Sequence, residues 1–136
     1  MIKKILSIIV LLVTAVSCAA TSPTALPEKY NLDNDLQSVK SISAARVSNW
    51  VQIDNQSFIF AANGSKFYLA VLDKPLESGI AYDKIGLVDR SLSVTAGYNK
   101  IFIKNDSGRR YYTIAKLYEL TGKEQAKKIK RLLGEK

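Results

Sequence analysis

Two β-favouring runs on either side of Asn63-Gly64 constrain this 136-residue chain more than any other feature. Ser57-Phe-Ile-Phe-Ala-Ala62 and Ser65-Lys-Phe-Tyr-Leu-Ala-Val-Leu72 are rich in aromatic and aliphatic side chains, which suit a pleated, packed surface. Asn-Gly fits the two positive-φ positions of a type I′ turn, so the segment predicts a tight two-residue hairpin, ended by Pro75 and Gly79.

A second hairpin is predicted from Lys100-Ile-Phe-Ile-Lys104 through a turn at Asn105-Asp-Ser-Gly108 into the run Arg110 to Tyr118. Val47, Asn49, Val51 and Ile53 alternate with Arg46, Ser48, Trp50 and Gln52, the period of a strand. Between the hairpins, Gly86 and Gly97 read as isolated turn or bulge glycines. Thr121 with Glu124 three residues on has capping-box spacing and predicts a terminal helix, with Gly134 as its stop. Ala126, Ile129, Leu132 and Leu133 fall on one side of that helix, and Lys127, Lys128 and Arg131 on the other. The expected fold class is α+β: a small antiparallel sheet of short strands and hairpins with a C-terminal amphipathic helix packed on it.

The N-terminus reads as an export signal. Lys3 and Lys4 precede the apolar run Ile5 to Val16, and small residues follow. That run is shorter than the ~20 residues a membrane-spanning helix needs. Cys18, the sole cysteine, follows Ala15-Val16-Ser17 in a context that resembles a bacterial lipobox. No second cysteine exists to pair with it in an oxidising compartment, and acylation accounts for it. The alternative is an ordinary secretory leader cut near Ala15-Val16-Ser17, releasing the protein into the periplasm. The lipoprotein resemblance implies the periplasmic face of the outer membrane, because Ala19 replaces the aspartate that commonly retains such proteins in the inner membrane. The expected organisation is a signal peptide over residues 1–17, a flexible tether over 18–42 with Pro23 and Pro27, and a single domain over 43–136.

Charge is unevenly distributed. Residues 19–108 hold nine basic and nine acidic side chains, whereas 109–136 hold nine basic and three acidic. The excess belongs to the last 28 residues and favours an anionic neighbour, with Lys127, Lys128 and Arg131 as the expected contact. The expected partners are the membrane, through the lipid anchor, and an envelope protein or anionic lipid; an exported protein rarely meets nucleic acid.

The chain has no histidine, which removes the side chain best suited to acid–base work near neutrality and the commonest metal ligand. With Cys18 acylated, Cys–His nucleophiles, Ser–His–Asp triads and ordinary zinc sites are out of reach. Asp54, Asp73, Asp83 and Asp89 are the remaining candidates for a carboxylate pair, but each sits in a turn context where aspartate serves local hydrogen bonding. Of Phe67-Tyr68 and Tyr111-Tyr112, one partner each should enter the core, leaving the other to cover a cross-strand neighbour or bind a sugar or acyl chain. No catalytic residue, metal or cofactor is assigned. The expected role is a membrane-tethered, non-enzymatic interaction or accessory module; the alternative is a periplasmic binding protein for an apolar or glycan ligand.

Trp50-Val-Gln-Ile-Asp54-Asn55, Phe67-Tyr68-Leu69-Ala-Val-Leu72-Asp-Lys-Pro75, Ile85-Gly86 and Ile114-Ala-Lys-Leu-Tyr118, followed by a terminal helix with Gln125, occur here in an order that resembles the small Gram-negative lipoprotein family DUF6491, a domain of unknown function. The resemblance covers roughly residues 40–133. It implies a fold and an address, and no mechanism. The family pattern carries a cysteine after the proline matching Pro75 and another before the isoleucine matching Ile114; those neighbourhoods here hold Leu76 and Tyr112. Joint loss of the two is what a structural disulfide would require.

Overall fold

The computed structural model describes residues 26–43, 46–63, 66–77, 83–88 and 92–134. The leader, Cys18 and Asp89 lie outside the described residues. In chain order the elements are a 3-10 turn Glu28–Tyr30, strands β1 (Gln37–Val39), β2 (Ser41–Ser43), β3 (Val47–Gln52), β4 (Ser57–Ala62), β5 (Lys66–Leu72), β6 (Lys84–Leu87), β7 (Ser93–Thr95), β8 (Lys100–Asn105) and β9 (Gly108–Leu120), and helix α1 (Lys123–Gly134). The protein is mainly antiparallel sheet, with one helix at the C-terminal end.

The main sheet is antiparallel, in the order β3-β4-β5-β9-β8-β6, with β1 pairing the far half of β9. The end strands β3 and β6 approach each other, so the sheet curls almost into a barrel. Its interior is filled by Phe58, Phe60, Tyr68, Leu72, Ile101, Ile103, Tyr112, Ile114 and Leu117. A separate ribbon of β2 and β7 adds Ile42 and Val94 to that interior. Leu76 and Tyr112 are both buried there.

Two bulges set which residues face inward. Asn49 takes φ 55°, and the β3–β4 register shifts between Ser48 and Val51. The extra residue turns Trp50 inward against Phe58 and Phe60 and leaves Val51 exposed, reversing the simple alternation. On β9, Val71 pairs with Lys116 but Leu72 with Ile114, so Ala115 is unpaired. Ile114 and Leu117 therefore share the interior face, while Tyr118 and Leu120 point outward.

The outward face is a second core. Ile59, Leu69, Val71, Tyr118 and Leu120 are covered by Ile129 and Leu133 of α1 and by Tyr30, Leu32 and Leu36 of the N-terminal segment. This corrects the reading of 18–42 as a tether: from Leu26 onward the chain belongs to the domain. Its anchors are far away in sequence and carry no local periodicity. Tyr118 receives a hydrogen bond from the Leu32 N–H (3.2 Å) and donates to the Tyr30 carbonyl (2.8 Å).

Both hairpins form, the first with a longer connection than expected and the second with its turn at Asn105–Gly108 as expected. Ala62 pairs with Lys66, leaving residues 63–65 as the connection, one more than a type I′ turn allows. Asn105 pairs with Gly108 around Asp106-Ser107, with the Asn105 side chain accepting from the Ser107 N–H at 2.9 Å. Gly97, at φ 79°, is a turn glycine. Gly86 is instead a strand residue beneath the Phe102 ring, where an added Cβ would lie 3.0 Å from the ring edge. The bare glycine lets that ring cover the strand.

Candidate functional site

Helix α1 begins where β9 ends. Gly122, at φ 152°, turns the chain, and Gln125 accepts hydrogen bonds from the Thr121 N–H (2.6 Å) and hydroxyl (3.0 Å). The cap is thus made by Gln125, not Glu124, which pairs with Lys127 at 3.5 Å. Burial of Ile129 and Leu133, with Ala126 alongside, fixes the rotation of the helix. Leu132, expected in the core, is instead 60% exposed, because it lies a third of a turn from Leu133.

That rotation arranges the charges. Lys127, Lys130, Arg131 and Gly134, at i, i+3, i+4 and i+7, form one flank of α1 and with Ile53 line a groove of about 410 Å³. At Gly134 the helix passes so close to the β3–β4 turn that an added Cβ would lie 3.2 Å from the Ile53 carbonyl oxygen. A neighbouring cleft of about 580 Å³ continues past Ile53, lined by Lys29, Gln52, Asp54, Asn55 and the Leu132–Gly134 end of the helix. Among the described residues, Lys128, Lys130 and Arg131 form no ion pair. Of the three cations expected to form the contact, Lys127 and Arg131 line the groove, while Lys128 is exposed outside its lining. Lys130 was missed; its spacing from Lys127 and Gly134 was the available signal.

Asp54 braces the far wall. Its carboxylate accepts from the Tyr30 hydroxyl (2.7 Å), the Lys29 ammonium (3.0 Å), the Ser57 hydroxyl (2.7 Å) and the Gln56 N–H (2.9 Å). Burial pushes this carboxyl up, but the hydrogen bonds outweigh it and hold it below the usual carboxylate range. Burial, reinforced by the same carboxylate, pushes the Tyr30 phenol far above its ordinary value. A carboxylate so engaged is a structural hub. Asp73 accepts from the Thr113 N–H at 3.1 Å, again a local role. Among the described residues, no three His, Cys, Asp or Glu side chains converge as metal ligands would.

The aromatic pairs separate by face. Tyr112 is 4% exposed and Tyr111 50%, whereas Phe67 and Tyr68 enter the two different cores. Outside the barrel, Phe102 lies against Gly86, with the Arg109 guanidinium 4.9 Å from its ring centre. Phe102 is therefore occupied by its neighbours.

No curated protein and no solved structure matches this chain. The sequence model of a family of unknown function, DUF6491, matches residues 1–135, and the protein belongs to that family.

Proposed function

We propose that the protein is a non-enzymatic interaction or accessory module of the cell envelope, tethered by acylation of Cys18 at the periplasmic face of the outer membrane. Its contact surface is the basic flank of α1, which meets an anionic neighbour. The supporting observation is the exposed set Lys127, Lys130 and Arg131 around the Ile53–Gly134 groove, with two of the three cations free of ion pairs among the described residues. Cations without partners close to apolar surface favour a multivalent anionic contact. Crosslinking in cells, comparing the natural chain with Cys18→Ser and with a Lys127→Glu/Lys130→Glu/Arg131→Glu variant, tests this. The anchor predicts that Cys18→Ser leaves the membrane fraction, and the contact predicts that the charge-reversed chain stays there but loses its crosslinks. Unchanged crosslinks in the charge-reversed chain would sink the contact surface.

A second reading, a binding protein for an apolar or glycan ligand, draws on the cleft between Lys29, Asp54 and Leu132. Native mass spectrometry of protein taken from its own envelope would then show a retained adduct, and a bare protein mass would count against it.

A further inference from the structure

We infer that the domain docks on the anionic headgroups of the same leaflet that anchors it, with α1 turned to the bilayer and Leu132 entering the headgroup layer. The inference rests on the anchored reading above and adds the occupant of the basic flank and the orientation of the domain.

The first support is where the chain joins the domain. Leu26 packs against the cluster that contains Ile129 and Leu133, and Lys29 lines the same cleft as Leu132 and Gly134. Seven residues lie between Cys18 and Leu26, eight Cα-to-Cα steps in all. Fully extended they reach at most about 29 Å, so an acylated Cys18 holds the α1 side of the domain close to the lipid surface. Had the tether run to residue 42, it could have lifted the domain well clear. The strand β9 then carries the β8–β9 turn away from the helix, by at most about 40 Å.

The second support is the surface that this attachment turns toward the lipid. Lys127, Lys128, Lys130 and Arg131 are exposed, and among the described residues only Lys127 has an acidic partner. Leu132 follows Arg131 and lies one turn beyond Lys128, so the exposed side of α1 presents an apolar residue beside cations. That combination suits a helix resting in the interface, with lysine and arginine stems reaching up to phosphates. Each basic residue close to an anionic leaflet strengthens binding about fivefold. Such a contact is weak for a free protein, but a short tether makes it intramolecular and sufficient.

The test is nuclear magnetic resonance of the acylated protein in lipid nanodiscs containing a paramagnetic headgroup lipid, with and without phosphatidylglycerol. Docking predicts that the amides of Lys127 to Leu132 broaden several-fold more than those of Asp106 and Ser107, and only with phosphatidylglycerol. High salt should remove the difference without any substitution. The Lys127→Glu/Lys128→Glu/Arg131→Glu variant should lower the docked-to-free ratio by at least about a hundredfold. Equal broadening of helix and turn on both disc types would overturn the leaflet as occupant and leave an acidic protein as the taker of the basic flank. Should the N-terminal peptide of the purified protein carry no acyl group, the anchor alone has failed. A maleimide lipid coupled to the free Cys18 thiol then supplies the tether, and the same broadening pattern decides the docking.

Discussion

The Tyr118 hydroxyl, on the outward face of β9, donates to the Tyr30 carbonyl at 2.8 Å, tying together residues 88 positions apart. The same oxygen accepts from the Leu32 N–H and from the Lys116 ammonium, at 3.2 and 3.3 Å. One fully buried hydroxyl thus holds the N-terminal segment against the sheet. Tyr118→Phe removes these bonds while keeping the ring. It should cost about 1–3 kcal/mol in urea unfolding, because the Leu32 N–H and Tyr30 carbonyl are left buried. Hydrogen exchange should quicken first over residues 30–36.

Asp54 gives the fold an acid-sensitive brace. Its carboxyl titrates lower in the native protein than in the unfolded chain, so the native state binds fewer protons between the two values. The stabilisation is present above the unfolded value of about 3.9 and is lost as pH falls through the native one. Unfolding of Asp54→Asn compared with the natural chain should show a gap that is full at neutral pH and narrows in acid. Tyr30 acts in the opposite sense: its native value lies above the unfolded one of about 10, so its contribution is lost in alkali. Tyr30→Phe should flatten stability above pH about 10.

The two leucines ending α1 should respond differently. Leu133 is 8% exposed and packs on the sheet, so Leu133→Ala should cost about 2–4 kcal/mol. Leu132→Ala should change stability by less than about 0.5 kcal/mol. Equal losses in thermal unfolding would mean that the helix sits in a different rotation.

Asn49 occupies the left-handed region at φ 55°, which asparagine and glycine tolerate and β-branched residues do not. Asn49→Val should cost about 1–2 kcal/mol and Asn49→Gly little, measured by denaturant midpoint. A stable Asn49→Val would show that β3 can pair without the bulge.

Gly86 makes room for Phe102, and Gly86→Val should displace the ring and cost on the order of 1–2 kcal/mol. Combining it with Phe102→Leu should recover part of that loss, giving a favourable coupling in a double-mutant cycle.

Much of the local architecture was legible in the residues. Runs of β-favouring aromatic and aliphatic residues and Asn/Gly turn chemistry marked β4–β5 and β8–β9, because those signals act between neighbours in the chain. Thr121 likewise marked the start of α1, although its partner proved to be Gln125. The charge excess toward the C-terminus was equally plain, while its arrangement was not. Lys130 joins the groove only because α1 is rotated to bury Ile129 and Leu133.

By itself, then, the sequence determined strands β3, β4, β5, β8 and β9, the two hairpins, the terminal helix and its basic character, all of which depend on residues a few positions apart. Only the tertiary structure decided which side of each strand faces inward. One unpaired residue at Asn49 or Ala115 reverses every side chain beyond it, and such bulges answer to the curvature of the whole sheet. It also decided that Leu26 to Leu36 belong to the domain. That segment has little pattern of its own, and its order comes from a distant hydroxyl, a distant carboxylate and an apolar face it shares with α1.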